Sequence, residues 1–531
     1  MKRMIARILG RKRKGHMEWI LAIPFSIVAF VLMSTFGKAA RQKRIEAAYH
    51  FDPPNSHGAA KFAQNSDLKA AGLFKRKGIP IGYSPDGRRA LHYPGFGHIL
   101  TVAAARTGKG ATLLINALLS WRKSCIVIDV KAEHAAVSGH FRRRFGNVYV
   151  LNPFNMLPDA LKGLMQARFN PMDILDPLSK AFHVMCDKLA AALVWEEGRE
   201  GIHFTTAARA LVSGIIAALI RHGLLSERNL ATVARIISGD VRGFCRVTVQ
   251  STTDPFIIQK LGRFASAALD NKEINDVIAT AITQLAFIGN EAIAESLSGS
   301  DFRFSDLKRK PGTTVYICLP LNLLDICDKY FRLILETALA DLLSEGQRGA
   351  GKPVLAIIDE MAQLGPHMKS LENAMGMAAG AAGLQLWCVL QDLSQLKGMF
   401  PNTWETFIQN CGVTTWFGAR DQTTREYVSK LAGTCEVLSH SRSVSIDQRT
   451  GEPVVGDSAS QFGRPLLLPH EVGEKVAPDE MIAFVEGVRC GPIKAKRKFY
   501  FRVFSKSKYR HNPYVRKSVG FFGWLFGWLI G

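Results

Sequence analysis

Residues 103–112 read Ala-Ala-Ala-Arg-Thr-Gly-Lys-Gly-Ala-Thr and lie between an apolar run at 99–102 and a helix-patterned run at 113–121. A strand, a Gly-Lys turn and a helix in that order supply what a triphosphate requires. Backbone N–H groups and a helix N-terminus face the anion, and Lys109 adds a point positive charge. The general loop pattern calls for Gly where Ala103 stands and for Ser or Thr where Gly110 stands. The hydroxyl that ordinarily meets Mg2+ is therefore absent from its usual place, with Thr107 and Thr112 the nearest substitutes. A tight strand-to-helix turn that binds nothing reads the same way from this stretch alone.

The stretch 354–360, Val-Leu-Ala-Ile-Ile-Asp-Glu, is a short branched apolar run ending in two acids. A buried parallel strand has this composition, and acids at its carboxyl end point into the crevice where open α/β sheets hold ligands. There Asp359 is placed to hold a metal through its water shell and Glu360 to polarise an attacking water. A strand that simply ends in solvated acids is the plain alternative. Residues 125–129 (Cys-Ile-Val-Ile-Asp) and 385–390 fit the same sheet, the second ending at Gln391. A Gln at a strand tip suits sensing a γ-phosphate or aligning water, and equally suits capping the next helix. Strand character returns at 313–319 and helix at 330–343.

Between these blocks, 178–197, 205–222, 230–238 and 275–297 carry apolar residues at three and four spacing, which predicts an inserted helical domain. Lys260, Arg263 and Lys272 on it suit either a DNA strand or a solvated helix face. The polar, turn-rich segment 439–463 predicts a mobile loop or weak hairpin. At 531 residues the chain can bury a large core, and its formal charge of +23 suits a polyanionic partner, DNA or acidic lipid. Part of that excess sits in the tails: residues 1–14 hold seven Lys or Arg and no acid, and 506–517 is also basic. Nine scattered cysteines with no CxxC pair predict a reduced, cytosolic body without structural zinc or disulfides.

Residues 20–36 are 17 uncharged residues, just long enough to cross a hydrocarbon core, with an interfacial or buried helix as the alternative. Basic residues on both sides leave the orientation open, because the charge rule would keep the chain's start in the cytosol while an ATPase body must be cytosolic too. At the far end, 520–531 is rich in Phe, Trp and Leu beside Arg516 and Lys517. It suits a headgroup-level anchor or a tail packed on its own domain or a partner subunit.

Further blocks follow in order: His57-Gly58-Ala59-Ala60, Ala71-Gly72-Leu73, Gly78-Ile79-Pro80-Ile81-Gly82, the 106–110 loop, Asp129-Val130-Lys131-Ala132-Glu133 and Phe169-Asn170-Pro171. The later ones are the 359–365 stretch Asp-Glu-Met-Ala-Gln-Leu-Gly, the 391–396 stretch Gln-Asp-Leu-Ser-Gln-Leu, Phe417-Gly418-Ala419-Arg420-Asp421, Arg464-Pro465-Leu466-Leu467 and Pro469-His470-Glu471-Val472. In these blocks the chain resembles the coupling ATPases of type IV secretion, the TraG-like conjugative DNA-transfer proteins, over about 57–501. Gly commonly follows the loop Lys in that family, so Gly110 agrees with it.

The resemblance implies an α/β fold: a RecA-like P-loop NTPase domain with a central, mostly parallel sheet, an inserted all-α domain and an N-terminal transmembrane segment. The expected organisation is a basic N-terminus and membrane segment (1–45), a first motor part (46–170), the all-α insertion (171–300), a second motor part (301–505) and a basic, aromatic tail (506–531). It implies ATP and Mg2+ as cofactors. Arg106, Thr107, Gly108, Lys109, Gly110, Ala111, Thr112 and Asp359 would bind the nucleotide, with Asp359 meeting Mg2+ through water. Lys109, Glu360 and Gln391 would act on it, together with a neighbour's Arg420, or Arg425 as second candidate, where an ordinary salt bridge is the plain use of either. The implied assembly is a homo-hexamer at the bacterial inner membrane with its motor in the cytoplasm. Its implied partners are single-stranded or duplex DNA, relaxase or relaxosome proteins, secretion-channel proteins and membrane lipid. Effector-protein export, a septal or chromosomal DNA translocase and a non-hydrolysing docking adaptor remain the alternatives.

Overall fold

Strands buried on both faces must be mainly apolar, and the chain's central strands are, with the few polar residues among them, such as His98, Thr101 and Thr415, buried too. In the computed structural model, which describes residues 57–195, 201–344, 353–365, 371–376, 383–446 and 453–515, they build one large sheet. The expected membrane segment at 20–36 and the aromatic tail at 520–531 lie outside the described residues. The strands of this sheet are Ile79–Tyr83 (β1), Ala90–Tyr93 (β2), His98–Ala103 (β3), Cys125–Ile128 (β4), Val148–Leu151 (β5), Met165–Gln166 (β6), Thr314–Ile317 (β7), Val354–Ile358 (β8), Leu384–Leu390 (β9) and Cys411–Phe417 (β10). Two more follow a hairpin, Thr434–Ile446 (β11) with Pro453–Pro465 (β12): these are Glu480–Val485 (β13) and Ile493–Lys496 (β14).

The order across the sheet is β2-β1-β14-β13-β10-β3-β9-β8-β4-β7-β5-β6. From β10 to β6 every pairing is parallel, whereas β13, β14, β1 and β2 add an antiparallel wing. Parallel order puts the carboxyl ends of β3, β9, β8 and β4 on one edge, where open sheets of this kind bind ligands. The strands β3, β4, β7, β8, β9 and β10 are buried along their whole length, and β4 and β8 are unbroken apolar runs.

Helices fill 171–300 among the described residues. Phe182–Leu193, Ile202–His222, Leu230–Ser238, Val241–Ser251, Pro255–Ala265 and Lys272–Leu285 are the main ones. Four of their starts are fixed locally. Asn229, Asp240, Asp254 and Asn271 accept hydrogen bonds from the amides of Thr232, Gly243, Phe256 and Ile274, satisfying donors that a helix start leaves without partners. Ile202–His222 is long and apolar enough to cross a membrane, but two-thirds of its apolar window is buried among its neighbours, the position of a core helix. Leu211 and Ile215 share one continuous core with Phe331 and Ile334 of the helix Leu324–Ser344 and with Ile126 and Ile358 of the sheet. The helical region therefore packs onto the sheet face.

Among the described residues, 60–434 and 465–515 form one compact unit, while 57–59 and 435–464 form a second, small one. The second is chiefly the β11–β12 pair, so the polar segment expected as a loop or weak hairpin is paired strand on both sides of 447–452.

Arg142 anchors the first unit's interior. It is fully buried, and its guanidinium donates to the carbonyls of Leu118, Trp121 and Lys123 and to Thr314 Oγ1. One side chain thereby ties the end of the helix Gly110–Ser120 to β7.

His98, on β3, is fully buried and accepts the Leu386 amide on Nδ1 at 3.0 Å. Burial pushes its imidazole down to about 4. Its folded value lies below the unfolded one of about 6.5, so the stability it contributes is present above that pH and is lost as pH falls toward 4. The loss amounts to roughly 3 kcal/mol at most. His98→Asn keeps an acceptor for the Leu386 amide but cannot titrate. The thermal midpoint of the native chain is expected to drop further than that of His98→Asn between pH 7 and pH 4.5, and equal drops would contradict the assignment.

Candidate functional site

β3 lies one strand in from the antiparallel wing, between β10 and β9, and its exit forms the Gly-Lys loop. Arg106 (φ 63°) and Gly108 (φ 81°) take the left-handed conformation, so the chain doubles back before entering the helix at Gly110. The first turns of that helix are π-wound, over Gly110–Leu114. Thr107 Oγ1 donates to the Ala104 carbonyl at 2.7 Å and Thr112 Oγ1 to the Gly108 carbonyl at 2.8 Å, so both hydroxyls named as substitutes brace the loop. Gly110 has a spatial reason. A Cβ there would stand 3.1 Å from His134 Cε1, which leaves no comfortable room for Ser or Thr. Gly418 at the end of β10 is likewise required, because its φ is 62° and a Cβ would reach 2.5 Å from Thr107 Cγ2.

Around this loop the expected residues converge. Lys109 Nζ lies 2.6 Å from Glu360 Oε1, and Gln391 Nε2 donates to Glu360 Oε2 at 2.9 Å. Glu360 thus has both oxygens engaged, one by the loop and one by the tip of β9. It too is left-handed, with φ 56°, a strained turn for a residue with a side chain. Asp359 Oδ2 meets His134 Nε2 at 3.1 Å. Arg106 is exposed at the loop, and Ala111 packs against Ile115 and Tyr500.

Behind these groups lies a charge cluster. Asp129, at the tip of β4, is buried and accepts the Ala135 amide at 2.8 Å. Burial pushes its carboxyl up to about 6, against the pull of His134 and the Ala135 amide. Burial also works against charging His134, but Asp129 and Asp359 outweigh it and hold the imidazolium up to about 9. Asp359 loses solvation as well, yet the His134 hydrogen bond and charge, with Lys109 behind them, bring its carboxyl below the ordinary value. The arrangement is a cation hydrogen-bonded to one carboxylate and close enough to a second to feel its charge, a paired form in which buried charges persist.

Two residues of this site carry no sequence signal. His134 directly follows the 129–133 block, and its position gives no hint of Asp359. Arg497 is buried and donates to the Thr107 carbonyl (2.9 Å), to Thr112 Oγ1 (3.1 Å) and to the carbonyls of Glu480 and Pro478, while its guanidinium stacks 3.8 Å from the Phe417 ring centroid. It locks the loop to the antiparallel wing. Of the two arginines expected to serve a neighbour, Arg420 is exposed just past β10, and Arg425 donates to the Ala419 carbonyl of its own chain at 3.0 Å. In the helical region Lys260 pairs with Asp187 (2.6 Å) and Arg263 with Glu273 (3.1 Å).

Residues 61–521 match the family described as Type IV secretory system Conjugative DNA transfer. The chain belongs to this conjugative DNA-transfer family. Among its relatives, the conjugal transfer protein TraG of Escherichia coli is 26% identical over 503 residues, covering 84% of this chain and 77% of TraG. VirD4 of Agrobacterium fabrum is 26% identical over 471 residues, covering 84% of this chain and 66% of VirD4. Among solved structures, the bacterial conjugative coupling protein TrwBdeltaN70 superposes with a TM-score of 0.61 at 15% identity, covering 83% of this chain and 93% of that one. TrwB in complex with ADP and Mg2+ gives 0.58 at 16%, covering 83% and 94%. The likeness to TrwB shows the fold. This conjugative-transfer chain has the expected α/β architecture, with a mostly parallel sheet and helices over 171–300, and it shares the fold of TrwB.

His134→Ala would leave the acids at 129 and 359 buried near each other without their shared cation. The expected cost is roughly 3 kcal/mol in urea denaturation. Adding Asp129→Asn, which removes one stranded charge and keeps an acceptor for Ala135, should recover part of it. Strictly additive losses would show that the three groups are not coupled.

Proposed function

We propose that this chain is an inner-membrane ATPase that couples relaxase-bound single-stranded DNA, or an effector protein, to a type IV secretion channel and drives its transfer during conjugation. The observation that carries this reading is the convergence of Lys109, Asp359, Glu360 and Gln391 at the carboxyl ends of three adjacent parallel strands. The donor set fits a magnesium-bound triphosphate. A glycine-flanked lysine and first-turn helix amides suit the phosphates, and a carboxylate kept ionised by a neighbouring imidazolium suits the metal's water shell.

Arg106 to Thr112 bind the nucleotide in this reading, with ATP as the substrate. Lys109 leaves Glu360 and takes the β- and γ-phosphate oxygens. Mg2+, when bound, supplies the positive charge that offsets the negative charge developing on those oxygens. Asp359 would hold that ion and is itself held by His134. Glu360, freed of Lys109 and still hydrogen-bonded to Gln391, would orient a water and take its proton as the water oxygen bonds to the γ-phosphorus and the bond to the ADP leaving group breaks. Gln391 feels loss of the γ-phosphate through Glu360. Its own amide donates to Gln395 Oε1 at 2.9 Å, so a shift there passes to the helix Leu393–Met399. Arg420 of a neighbouring subunit completes the site within a homo-hexamer.

Several observations support the wider role. TraG and VirD4 are the named relatives, TrwB has been captured with ADP and Mg2+, and the charge of +23 suits a polyanionic cargo. The hydrophobic segment 20–36 would fix the motor to the inner membrane with its body in the cytoplasm, where relaxosome proteins and the channel meet it.

With full-length protein in membranes, Lys109→Ala should abolish DNA-stimulated ATP hydrolysis. Glu360→Gln should keep MgATP binding while lowering kcat by roughly 100-fold or more, the scale of a lost general base. In a host whose own copy is deleted, both variants should fail to restore DNA transfer to a recipient while pili still assemble. Full hydrolysis by Lys109→Ala would refute the site. Full transfer by it would favour a docking adaptor, and hydrolysis without any transfer phenotype would favour a septal or chromosomal translocase.

A further inference from the structure

We propose that Phe499 and Phe501 form a stacking shelf for the purine base of the nucleotide held by the Gly-Lys loop; this rests on the nucleotide reading above. After β14 the chain runs past the loop through 497–504, Arg-Lys-Phe-Tyr-Phe-Arg-Val-Phe. Tyr500 turns inward, 4% exposed, against Ile115, Leu119 and Val137. Its two neighbours turn outward. Phe499 is 39% exposed and Phe501 49%, and their rings lie nearly parallel, 13° apart with centroids at 5.1 Å. Phe501 also meets Tyr500 edge-on, with ring centroids 5.4 Å apart, yet both outer rings keep a large share of their surface in water.

Location decides what binds. A Cβ built on Gly108, the residue before Lys109, would lie 3.7 Å from Phe499 Cε1, so the ring lines the loop itself. The shelf is fastened on its near side by two independent ties. Arg497 donates to the Thr107 carbonyl and to Thr112 Oγ1, and Asn116 Nδ2 donates to the Lys498 carbonyl at 2.7 Å and to the Thr112 carbonyl. Lys498 itself points away, its ammonium 4.8 Å from the Tyr83 ring centroid. The aromatic faces are therefore preorganised beside the phosphate site and need no induced movement. A base stacks on such a face whatever its ring substituents, and phenyl rings offer no hydrogen bonds to read them. Adenine and guanine should be held alike, so the shelf contributes affinity without choosing between ATP and GTP.

The test is titration calorimetry on the full chain in lipid nanodiscs with Mg2+ and three probes: ADP, GDP and inorganic pyrophosphate. Phe499→Ala should weaken ADP and GDP about tenfold, within the roughly 5- to 150-fold that loss of one base–aromatic stack costs. Pyrophosphate, which has no base, should bind as before. Phe499→Trp should retain or tighten ADP, and Phe501→Ala should show a smaller loss of the same pattern. An unchanged ADP affinity in Phe499→Ala would overturn the proposal, and a concurrent fall in single-stranded DNA binding or in ring assembly would then name the true occupant. Equal weakening of ADP and pyrophosphate would also overturn it, by showing that the ring only props the loop. If the unaltered chain bound neither ADP nor pyrophosphate, the nucleotide site itself would fail, and the shelf with it.

Discussion

Lys109 and Glu360 are separated by 251 positions in the sequence and by 2.6 Å in space. That contact requires β3 and β8 to run parallel and to end on the same edge, with only β9 between them. Gln391, at the tip of the intervening strand, occupies the gap and takes the second oxygen of Glu360. An ammonium this deep needs a counter-charge, and a carboxylate this deep needs donors. Each group in the cluster therefore sets the position of the next. Because the pair is strong and mostly shielded from water, phosphate oxygens that draw Lys109 away also release Glu360, so binding and activation share one event in this reading.

The groups behind the cluster keep it from relaxing. Arg142 fixes the far end of the helix that begins at Gly110, and Arg497 fixes the loop before it. Between them His134 presses on Gly110 and pairs with Asp359. The exchange of a hydroxyl residue for Gly at position 110 thus has a cause in this fold: the imidazole that steadies the acid fills the space. Strain at Arg106, Glu360 and Ala132, all left-handed without being glycine, is concentrated at the edge where ligands meet such sheets.

Much of this was legible beforehand, for a physical reason. A strand covered on both faces cannot hide its composition, so 354–358, 125–128 and 384–390 announced themselves, and their terminal polar residues marked the edge that matters. The helix at 230–238 was bounded by a capping Asn and a Gly, which fix both ends locally. Other elements were silent. β1 contains Pro80 and Gly82 with an irregular register between them, and β14 alternates short and charged, so neither carries an apolar run. By contrast, the helices Val241–Ser251 and Pro255–Ala265 bury residues at a four-then-three spacing, so their period was legible and went unread. The run expected as one helix over 275–297 breaks after Leu285 into a 3-10 turn, and Asn290 caps a new start. His134 and Arg497 act across 225 and 385 or more positions, and no local pattern encodes such partners.

The account turns on whether that one buried ion pair is the resting form of a triphosphate site. The most direct measurement is a crystal or cryo-EM structure of the full chain with Mg2+ and a non-hydrolysable ATP analogue. The expected result is Lys109 Nζ withdrawn from Glu360 onto the β- and γ-phosphate oxygens, with Asp359 facing the metal's water shell and Glu360 facing the γ-phosphate. An analogue bound elsewhere, with Lys109 and Glu360 still joined, would contradict it.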